Sequence, residues 1–322
     1  PVQHHPGLTL RTGVLVSRIL FDRGRAVGVV CREGGQELTF RCDGDVILAA
    51  GALQSPQLLQ LSGVGPADPL RALGISVVHD APEVGENLQD HYQARTIVRL
   101  KDPVSLNDQV RSPLGLARMG LQWLFQARGP LTVGAGQVGG FARTSQARDD
   151  RADIQFNVMP LSVDKPGTPL HDYPGFTVSV CQCRPTSVGS VRIQSADPAQ
   201  APTIVSNYLR ESLDLRTLVE GLGICREIYR QKSFAARWVE EKLPGPMPLE
   251  DFARGFGSTV FHPTSTCRMG SDDRAVVDPD LKVRGVQGLR VIDASVMPRV
   301  VSANTNAATI MIGERGAAKL LS

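Results

Sequence analysis

The chain has 322 residues, 42% of them hydrophobic, so it is long enough to bury the core of one large domain or two moderate ones. Its 35 basic and 32 acidic side chains are scattered and give a formal net charge of +3, which argues against nucleic acid as a partner. No apolar run approaches the roughly 18 to 20 residues of a membrane-spanning helix, and no signal-like segment opens the sequence. The expected location is the cytoplasm, with or without attachment to a membrane through an electron acceptor.

The first ninety residues have the pattern of strands. Residues 8–21 alternate in polarity, and a turn at Asp22-Arg23-Gly24-Arg25 leads into a further strand, which predicts a β-meander. Residues 45–51 form a short apolar run, which predicts a parallel strand buried on both faces. Ser55 and Pro56 then predict a helix over residues 57–62, with the serine as its cap and the proline at its first position.

Residues from about 92 to 257 have a different character. They contain proline-rich connections and strands near 176–180 and 190–193, and they predict a helix from about 211 to 231. We assign them to a second, mixed domain. One face of the predicted helix is apolar and is expected to pack in the core: Leu213, Leu218, Leu222, Cys225 and Ile228.

Residues 134–139 satisfy the glycine pattern GxGxxG of dinucleotide-binding turns. The preceding apolar run is too short for a central strand, and no apolar helix follows. We therefore interpret this segment as a loop, and a nicotinamide-binding site here is kept only as the weakest alternative.

The six cysteines are few for this length and irregularly spaced, which matches neither a disulfide framework nor a zinc ribbon. We expect reduced core thiols and no metal site. The residues in question are Cys31, Cys42, Cys181, Cys183, Cys225 and Cys267.

The last sixty residues carry the strongest chemical pattern. His262 lies in a polar motif, and Asn304 follows 42 residues later at the start of an apolar helix. An imidazole can accept a proton near neutral pH, and an amide can hold a substrate oxygen without competing for that proton. The pairing predicts proton removal from an alcohol. A buried strand over residues 289–295 places Asp293 near its carboxyl end, where open α/β sheets present ligands.

Four segments together resemble one family. The run from Gly51 to Gly65 resembles the second signature of the glucose-methanol-choline (GMC) flavoprotein oxidoreductases, and residues 84–91, the His262 motif and residues 288–312 are similar to that family in the expected order. The resemblance covers essentially the whole chain and is greatest to the choline dehydrogenase-like and alcohol dehydrogenase-like branch. It implies FAD as cofactor and transfer of a hydride from a primary alcohol to flavin N5, which yields an aldehyde.

The resemblance also implies roles for individual residues. His262 matches the family's catalytic base, and Asn304 matches a second active-site position that is histidine in some members. For the cofactor, the resemblance implies that the backbone of Val16 contacts adenine and that Ala50 and Gly51 end a strand near the cofactor. It also implies that Asp293 and Ala294 approach the pyrophosphate and ribitol, and that Thr305 and Asn306 offer backbone amides to the pyrimidine edge of the flavin.

Two departures from the family pattern accompany this resemblance. The sequence begins at a proline and resembles the C-terminal three-fifths of a member, without the N-terminal Rossmann unit that grips the FAD diphosphate. Thr264 and Ser265 stand where many relatives have a small residue followed by glycine. We therefore expect the piece to pair with the missing N-terminal segment in cis or in trans, or to be a truncated product that binds FAD weakly or not at all.

The predicted fold class is a mixture of α/β and α+β. An incomplete FAD-binding domain is expected to contain the β-meander, parallel strands and the C-terminal helix, beside a substrate-binding domain with a mixed or antiparallel sheet and helices. The predicted ranges are 1–91 for part of the FAD-binding domain, 92–257 for the substrate-binding domain, and 258–322 for the catalytic remainder of the first. The alternative is a flavin-free GMC-fold fragment or subunit without activity of its own.

Overall fold

A computed structural model of the protein describes residues 2, 4–102, 105–132, 134, 136–165 and 167–321. The strands among these residues are β1 (Leu15–Asp22), β2 (Arg25–Glu33), β3 (Gln36–Arg41), β4 (Val46–Leu48), β5 (Val64–Gly65), β6 (His79–Asp80), β7 (Tyr92–Leu100), β8 (Val138–Ala142), β9 (Ile154–Met159), β10 (Gly175–Gln182), β11 (Ser190–Arg192), β12 (Thr203–Val205), β13 (Trp238–Leu243), β14 (Ser258–Thr259) and β15 (Leu289–Val291). The helices are α1 (Gly51–Leu61), α2 (Ala67–Ala72), α3 (Leu106–Arg111), α4 (Pro113–Gln126), α5 (Ser212–Tyr229), α6 (Lys232–Ala235), α7 (Leu249–Phe256) and α8 (Asn306–Leu321).

The described residues divide into two compact units. Unit 1 takes in the described parts of Pro1–Asp90, Val188–Asn207 and His262–Ser322, and unit 2 takes in those of His91–Ser187 and Tyr208–Phe261. The predicted range 92–257 thus includes twenty residues that lie in unit 1. They do so because the hairpin of β11 and β12 is hydrogen-bonded there, with the Val191 amide donating to the Gly85 carbonyl at 2.7 Å.

Unit 1 combines antiparallel and parallel pairing. β1, β2 and β3 form the predicted antiparallel meander, and β4 pairs in parallel with β15. Apolar side chains from both sheets and from α1 share one core, including Leu48, Leu59, Leu289 and Val291. With the antiparallel sheet of unit 2, this arrangement confirms the predicted mixed fold class.

The burial predicted for residues 45–51 is wrong, although the parallel pairing is correct. β4 covers only Val46–Leu48, and the Ile47 side chain between its two buried neighbours is 43% exposed. Among the described residues, β4 pairs with β15 alone, and the face that carries Ile47 is partly open to solvent. The apolar sequence therefore indicates that both faces of the strand are hydrophobic, but it does not indicate what covers each face.

Helix α1 begins five residues before Pro56, its predicted first position. It starts at Gly51 and contains Pro56 in its interior. A proline lacks the amide that would bond the carbonyl four residues before it, here that of Ala52. The hydroxyl of Thr266 donates to this carbonyl at 2.7 Å and replaces the missing bond. A partner distant in sequence thus makes the interior proline tolerable, which local sequence rules could not anticipate.

Unit 2 is built on an antiparallel sheet in the order β13-β7-β10-β9-β8, with β14 pairing β7. Helix α5 packs on β10, all eight residues of which are buried. The predicted helix over 211–231 is confirmed within two residues, but its buried face is shifted. Leu213 is only partly buried and Ile228 is 38% exposed. Alternating steps of three and four residues define the face that packs. That face contains Leu215, Leu218, Leu222, Cys225 and Tyr229.

The glycine-rich segment leads into a strand rather than a helix. Gly139 lies in β8, an edge strand of the unit 2 sheet, while Val133 and Ala135 are outside the described residues. Among the described residues, no helix combines the length and the apolar character needed to cross a bilayer.

All six cysteines are free thiols, and five of them are buried. The expectation of a core position is wrong for Cys42, which is exposed because it follows the edge strand β3.

Thr266 provides a test of how α1 accommodates Pro56 in its interior. Replacing Thr266, which is fully buried, with the isosteric valine leaves the Ala52 carbonyl without its donor. We expect the free energy of unfolding to fall by about 1–3 kcal/mol, measured by urea denaturation monitored on unit 1. Thr266→Ser keeps the hydroxyl and should lose markedly less. Equal losses in the two variants would show that packing, not the hydrogen bond, determines the effect.

Candidate active site

Asp293 joins the carboxyl ends of the two parallel strands of unit 1. Its buried carboxylate Oδ2 accepts hydrogen bonds from the Gly51 amide at 2.9 Å and from the Ser55 hydroxyl at 2.5 Å. Its Oδ1 accepts from the Ser295 amide at 2.8 Å. The Ser55 hydroxyl also accepts from the Ala50 amide at 3.1 Å. The predicted residues that follow β4 and β15 therefore meet at one edge of the parallel pair.

The segment that follows His262 runs alongside the turn after β15. The Ser265 amide donates to the Ala294 carbonyl at 3.4 Å, and the Cys267 amide donates to the Ser295 carbonyl at 2.9 Å. Ser265 has a φ of +77°, in the left-handed region that favours glycine. Ser265 therefore adopts the backbone conformation that glycine favours, at the position where the family pattern has glycine.

Gln89 and Asp90 hold the two segments that carry the candidate catalytic side chains. The backbones of Gln89 and Thr264 exchange hydrogen bonds of 3.2 and 2.8 Å, and Oδ1 of Asp90 accepts from the His262 amide at 2.8 Å. Oε1 of Gln89 accepts from the Val300 amide at 2.9 Å, four residues before Asn304. The sequence analysis predicted no role for Gln89 or Asp90. Their position in the 84–91 loop, which resembles a family motif, was the feature that could have indicated one.

His262 and Asn304 lie side by side. Asn304 Nδ2 is 3.5 Å from His262 Nε2, the histidine is half-buried and the asparagine is exposed. Two polar atoms at this separation can both contact one hydroxyl oxygen at about 2.8 Å. The structure therefore brings the two predicted catalytic residues to a common point that solvent can reach.

Helix α8 begins directly after Asn304. The Thr305 carbonyl accepts from the Thr309 amide at 2.9 Å, so Thr305 precedes the first turn and Asn306 is the first helical residue. The first amides of a helix have no intrahelical partner and carry partial positive charge. This end of α8 can stabilise an anion.

Space remains beside the edge of the parallel strands. Ala50 is exposed, and a Cβ built on Gly51 would meet no atom within 4 Å. Gly51 has a φ of +81°, so the turn from β4 into α1 requires a residue without a side chain. Val16 lies in β1, half-buried against the core of unit 1. Among the described residues, no hydrogen bond links Val16 to the other predicted site residues.

Cys267 lies close to Asp293 but does not provide a nucleophile. Its side chain is fully buried, and this burial, with a smaller contribution from the Asp293 charge, raises the pKa of the thiol far above its ordinary value. A neutral, inaccessible thiol has a packing role.

Unit 2 contains a separate cavity of about 550 Å³ that includes none of the predicted site residues. Within the part of the chain that is described, no group of three or more His, Cys, Asp or Glu side chains is arranged to hold a metal ion.

Comparison with known proteins places these features in a family context. Two models described as GMC oxidoreductase match residues 1–93 and 185–313. An "Alcohol dehydrogenase [acceptor]" of Pseudomonas putida is 38% identical over 97% of this chain and 58% of its own length. An "Oxygen-dependent choline dehydrogenase" of Escherichia coli O17:K52:H18 is 40% identical over 96% of this chain and 57% of its own length. The chain thus spans a little over half the length of these relatives.

A solved structure with a similar fold is a formate oxidase from Aspergillus oryzae RIB40, which was studied for the effect of a mutation on FAD modification. It superimposes on this chain with a TM-score of 0.91 at 28% identity. The match covers 99% of this chain and 62% of that one.

Gln89 provides a test of how the site is held. Methionine in place of Gln89 keeps the length of the side chain but leaves the buried Val300 amide without an acceptor, so hydrogen exchange at that amide should accelerate by about 5- to 100-fold. Gln89→Glu retains an acceptor oxygen and should protect the amide better than methionine does. Unchanged exchange at Val300 in the methionine variant would show that this bond does not hold the segment before Asn304.

Proposed function

The chain belongs to the GMC oxidoreductase family, and from that premise we propose that the complete protein oxidises a primary alcohol to the aldehyde with FAD as its cofactor. The observation that carries the proposal is the 3.5 Å separation of His262 Nε2 and Asn304 Nδ2 at the start of α8. A base and an amide that converge on one oxygen suit the activation of a hydroxyl group.

The residues at the edge of the parallel strands fit FAD. Gly51 and Ala50 leave open space where the strands end, and a flavin dinucleotide needs this close approach to the backbone. The amides of Thr305 and Asn306 at the start of α8 would hold the pyrimidine edge of the ring, which carries negative charge when reduced. Asp293 holds this edge in shape through bonds to Gly51, Ser55 and Ser295, and Ala294 would lie beside the ribitol and pyrophosphate.

Two side chains would act on the substrate. His262 Nε2 accepts the hydroxyl proton, and Asn304 donates a hydrogen bond from Nδ2 to the same oxygen, which stabilises the negative charge that develops there. When bound, FAD would supply the acceptor for the hydride that the alcohol carbon releases.

The backbone positions the base. Asp90 accepts from the His262 amide, and Gln89 pairs with Thr264 two residues later, so the imidazole projects from a segment bonded at both ends. General-base assistance of this kind contributes about 10² to 10⁴ in rate, provided that the base stays within hydrogen-bond reach of the hydroxyl.

The proposed substrate class is a primary alcohol, by analogy with the names of the alcohol and choline dehydrogenases among the relatives. Recognition of choline in particular requires aromatic faces around a quaternary ammonium group. The proposed site residues His262 and Asn304, whose polar atoms lie 3.5 Å apart, do not by themselves form such a set of faces. We therefore propose the class and no particular member of it.

The proposal is tested by His262→Ala in the FAD-loaded enzyme. The rate of flavin reduction by an alcohol, followed as loss of absorbance under anaerobic conditions, should fall by about 10²- to 10⁴-fold because the hydroxyl keeps its proton. The amount of bound flavin should not change. His79→Ala is the matched control, since this histidine of unit 1 lies in β6 and outside the proposed machinery.

Three outcomes would contradict the proposal. Unchanged flavin reduction in His262→Ala would remove the base assignment. An equal loss in His79→Ala would assign the effect to general destabilisation. A complete protein that remains colourless after supply of FAD would favour the flavin-free alternative.

A further inference from the structure

The antiparallel sheet of unit 2 has one apolar face and one polar face. Successive side chains of a strand point to opposite faces, and Ala94, Val178 and Val180 lie on the face that packs with α5 in the core of unit 2. The opposite face carries the alternate residues of β7, β10 and β9. These residues are largely polar, and several of them are buried: Gln93, Gln155, Thr177 and Ser179. Apolar packing alone does not explain a buried polar face of this kind.

Arg95 lies on this polar face, in a strand that is paired on both sides. It is opposite Ser179 in β10, which is opposite Asn157 in β9, and the row ends at Gly139 in β8. Neighbouring strands lie about 4.8 Å apart, so Arg95 and Asn157 are separated by about 10 Å across the sheet. Gly139 adds no side chain to the row, and a Cβ built there would lie 3.9 Å from Asn157 Oδ1. The glycine therefore keeps the space beside Asn157 open.

Arg95 has no counter-charge among the described residues. Its partly buried side chain forms no ion pair or hydrogen bond with any of them, and its Nε atom is sealed from solvent without an acceptor. Burial lowers the pKa of the guanidinium, and no carboxylate in the described part of the chain opposes this shift. A guanidinium stays protonated in proteins, so burying it without an anion costs free energy. Arg95 therefore requires an anionic partner.

Arg99 shows that the sheet does pair an arginine of the same strand and face. It lies four residues after Arg95, is exposed, and donates to Glu240 of β13 at 3.3 Å. Lys242 also pairs with this glutamate, at 2.7 Å. The exposed arginine is thus neutralised while the more buried one is not, which is the reverse of what stability alone favours. This difference indicates that the partner of Arg95 is a ligand.

We propose that Arg95 binds the carboxylate of a small molecule on the polar face of the unit 2 sheet. A guanidinium presents paired donors in a fixed fork that matches the two oxygens of a carboxylate. Asn157, in the same row, accepts from Gln155 at 3.5 Å through Oδ1, while its Nδ2 donates to no group within the described residues. That amide can hydrogen-bond an uncharged polar group of the same molecule. The inference goes beyond the proposed oxidation and does not rest on it.

The chemistry of the row favours a small carboxylate over other anions. Arg95 is a single positive charge beside the neutral side chains of Ser179 and Asn157, so it matches a monoanion. A phosphate group carries more than one negative charge at neutral pH and would need further cations. A protein layer that packs permanently on a sheet buries an apolar face, as α5 does on the other side. A face of neutral hydrogen-bonding groups with one cation suits a polar small molecule instead.

Calorimetric titration of the complete, FAD-loaded protein with pentanoate and with pentanamide tests the proposal. The two probes have nearly the same shape and differ in charge, and neither carries a hydroxyl group that could be oxidised. The wild type should bind pentanoate at least about 10-fold more tightly than pentanamide. Arg95→Gln should lower the affinity for pentanoate about 10- to 100-fold and change that for pentanamide little, because only the charge-assisted bonds are lost.

Two further variants make the result specific to Arg95. Arg99→Gln removes the paired arginine of the same strand and face and should keep the preference for pentanoate. Arg95→Lys keeps the charge without the fork and should retain part of the preference, which decides the matter if Arg95→Gln does not fold.

Four outcomes would overturn the proposal. They are equal affinities for the two probes in the wild type, a full preference in Arg95→Gln, an equal loss for both probes in that variant, and loss of the preference in Arg99→Gln. Equal wild-type affinities together with a lower Tm in Arg95→Gln would show that a carboxylate of the chain itself pairs with Arg95. A protein that binds pentanoate as expected but oxidises no alcohol would contradict the proposed function and leave this site in place.

Discussion

The buried carboxylate of Asp293 is the constraint on which the candidate site depends. It accepts three hydrogen bonds, from the Gly51 amide, the Ser55 hydroxyl and the Ser295 amide, and so joins the ends of two strands that pair in parallel. Burying a carboxylate is costly unless its oxygens are hydrogen-bonded in this way. Because those bonds come from both sides of the edge, the turn into α1 and the turn after β15 cannot move independently.

The same principle extends from Asp293 to the reacting groups. Segments far apart in sequence cross in unit 1, and at each crossing a buried polar side chain satisfies a backbone group of another segment: Thr266 for Ala52, Gln89 for Val300. These bonds leave few arrangements for the chain between residues 262 and 304. The proximity of His262 to Asn304 thus results from many satisfied backbone groups, since their own contact is long and exposed.

Some of this could be predicted from sequence, because the information was either local or contained in the family motifs. The meander, the helix over 211–231, the parallel character of β4 and the meeting of His262 with Asn304 follow from periodicity or from family motifs. What failed depended on partners distant in sequence. Pro56 predicted a helix start, but Thr266 allows it to lie inside α1. The apolar run around Ile47 predicted burial on both faces, but the Ile47 side chain is 43% exposed.

The central claim is that His262 and Asn304 act on the same substrate oxygen, and a double-mutant cycle tests it most directly. Flavin reduction by an alcohol would be compared in the FAD-loaded wild type, His262→Ala, Asn304→Ala and the double variant. Residues that act on one oxygen should be coupled, so the double variant should be little slower than His262→Ala alone. If the two losses in rate instead multiply, the side chains act independently and the shared-oxygen account is wrong.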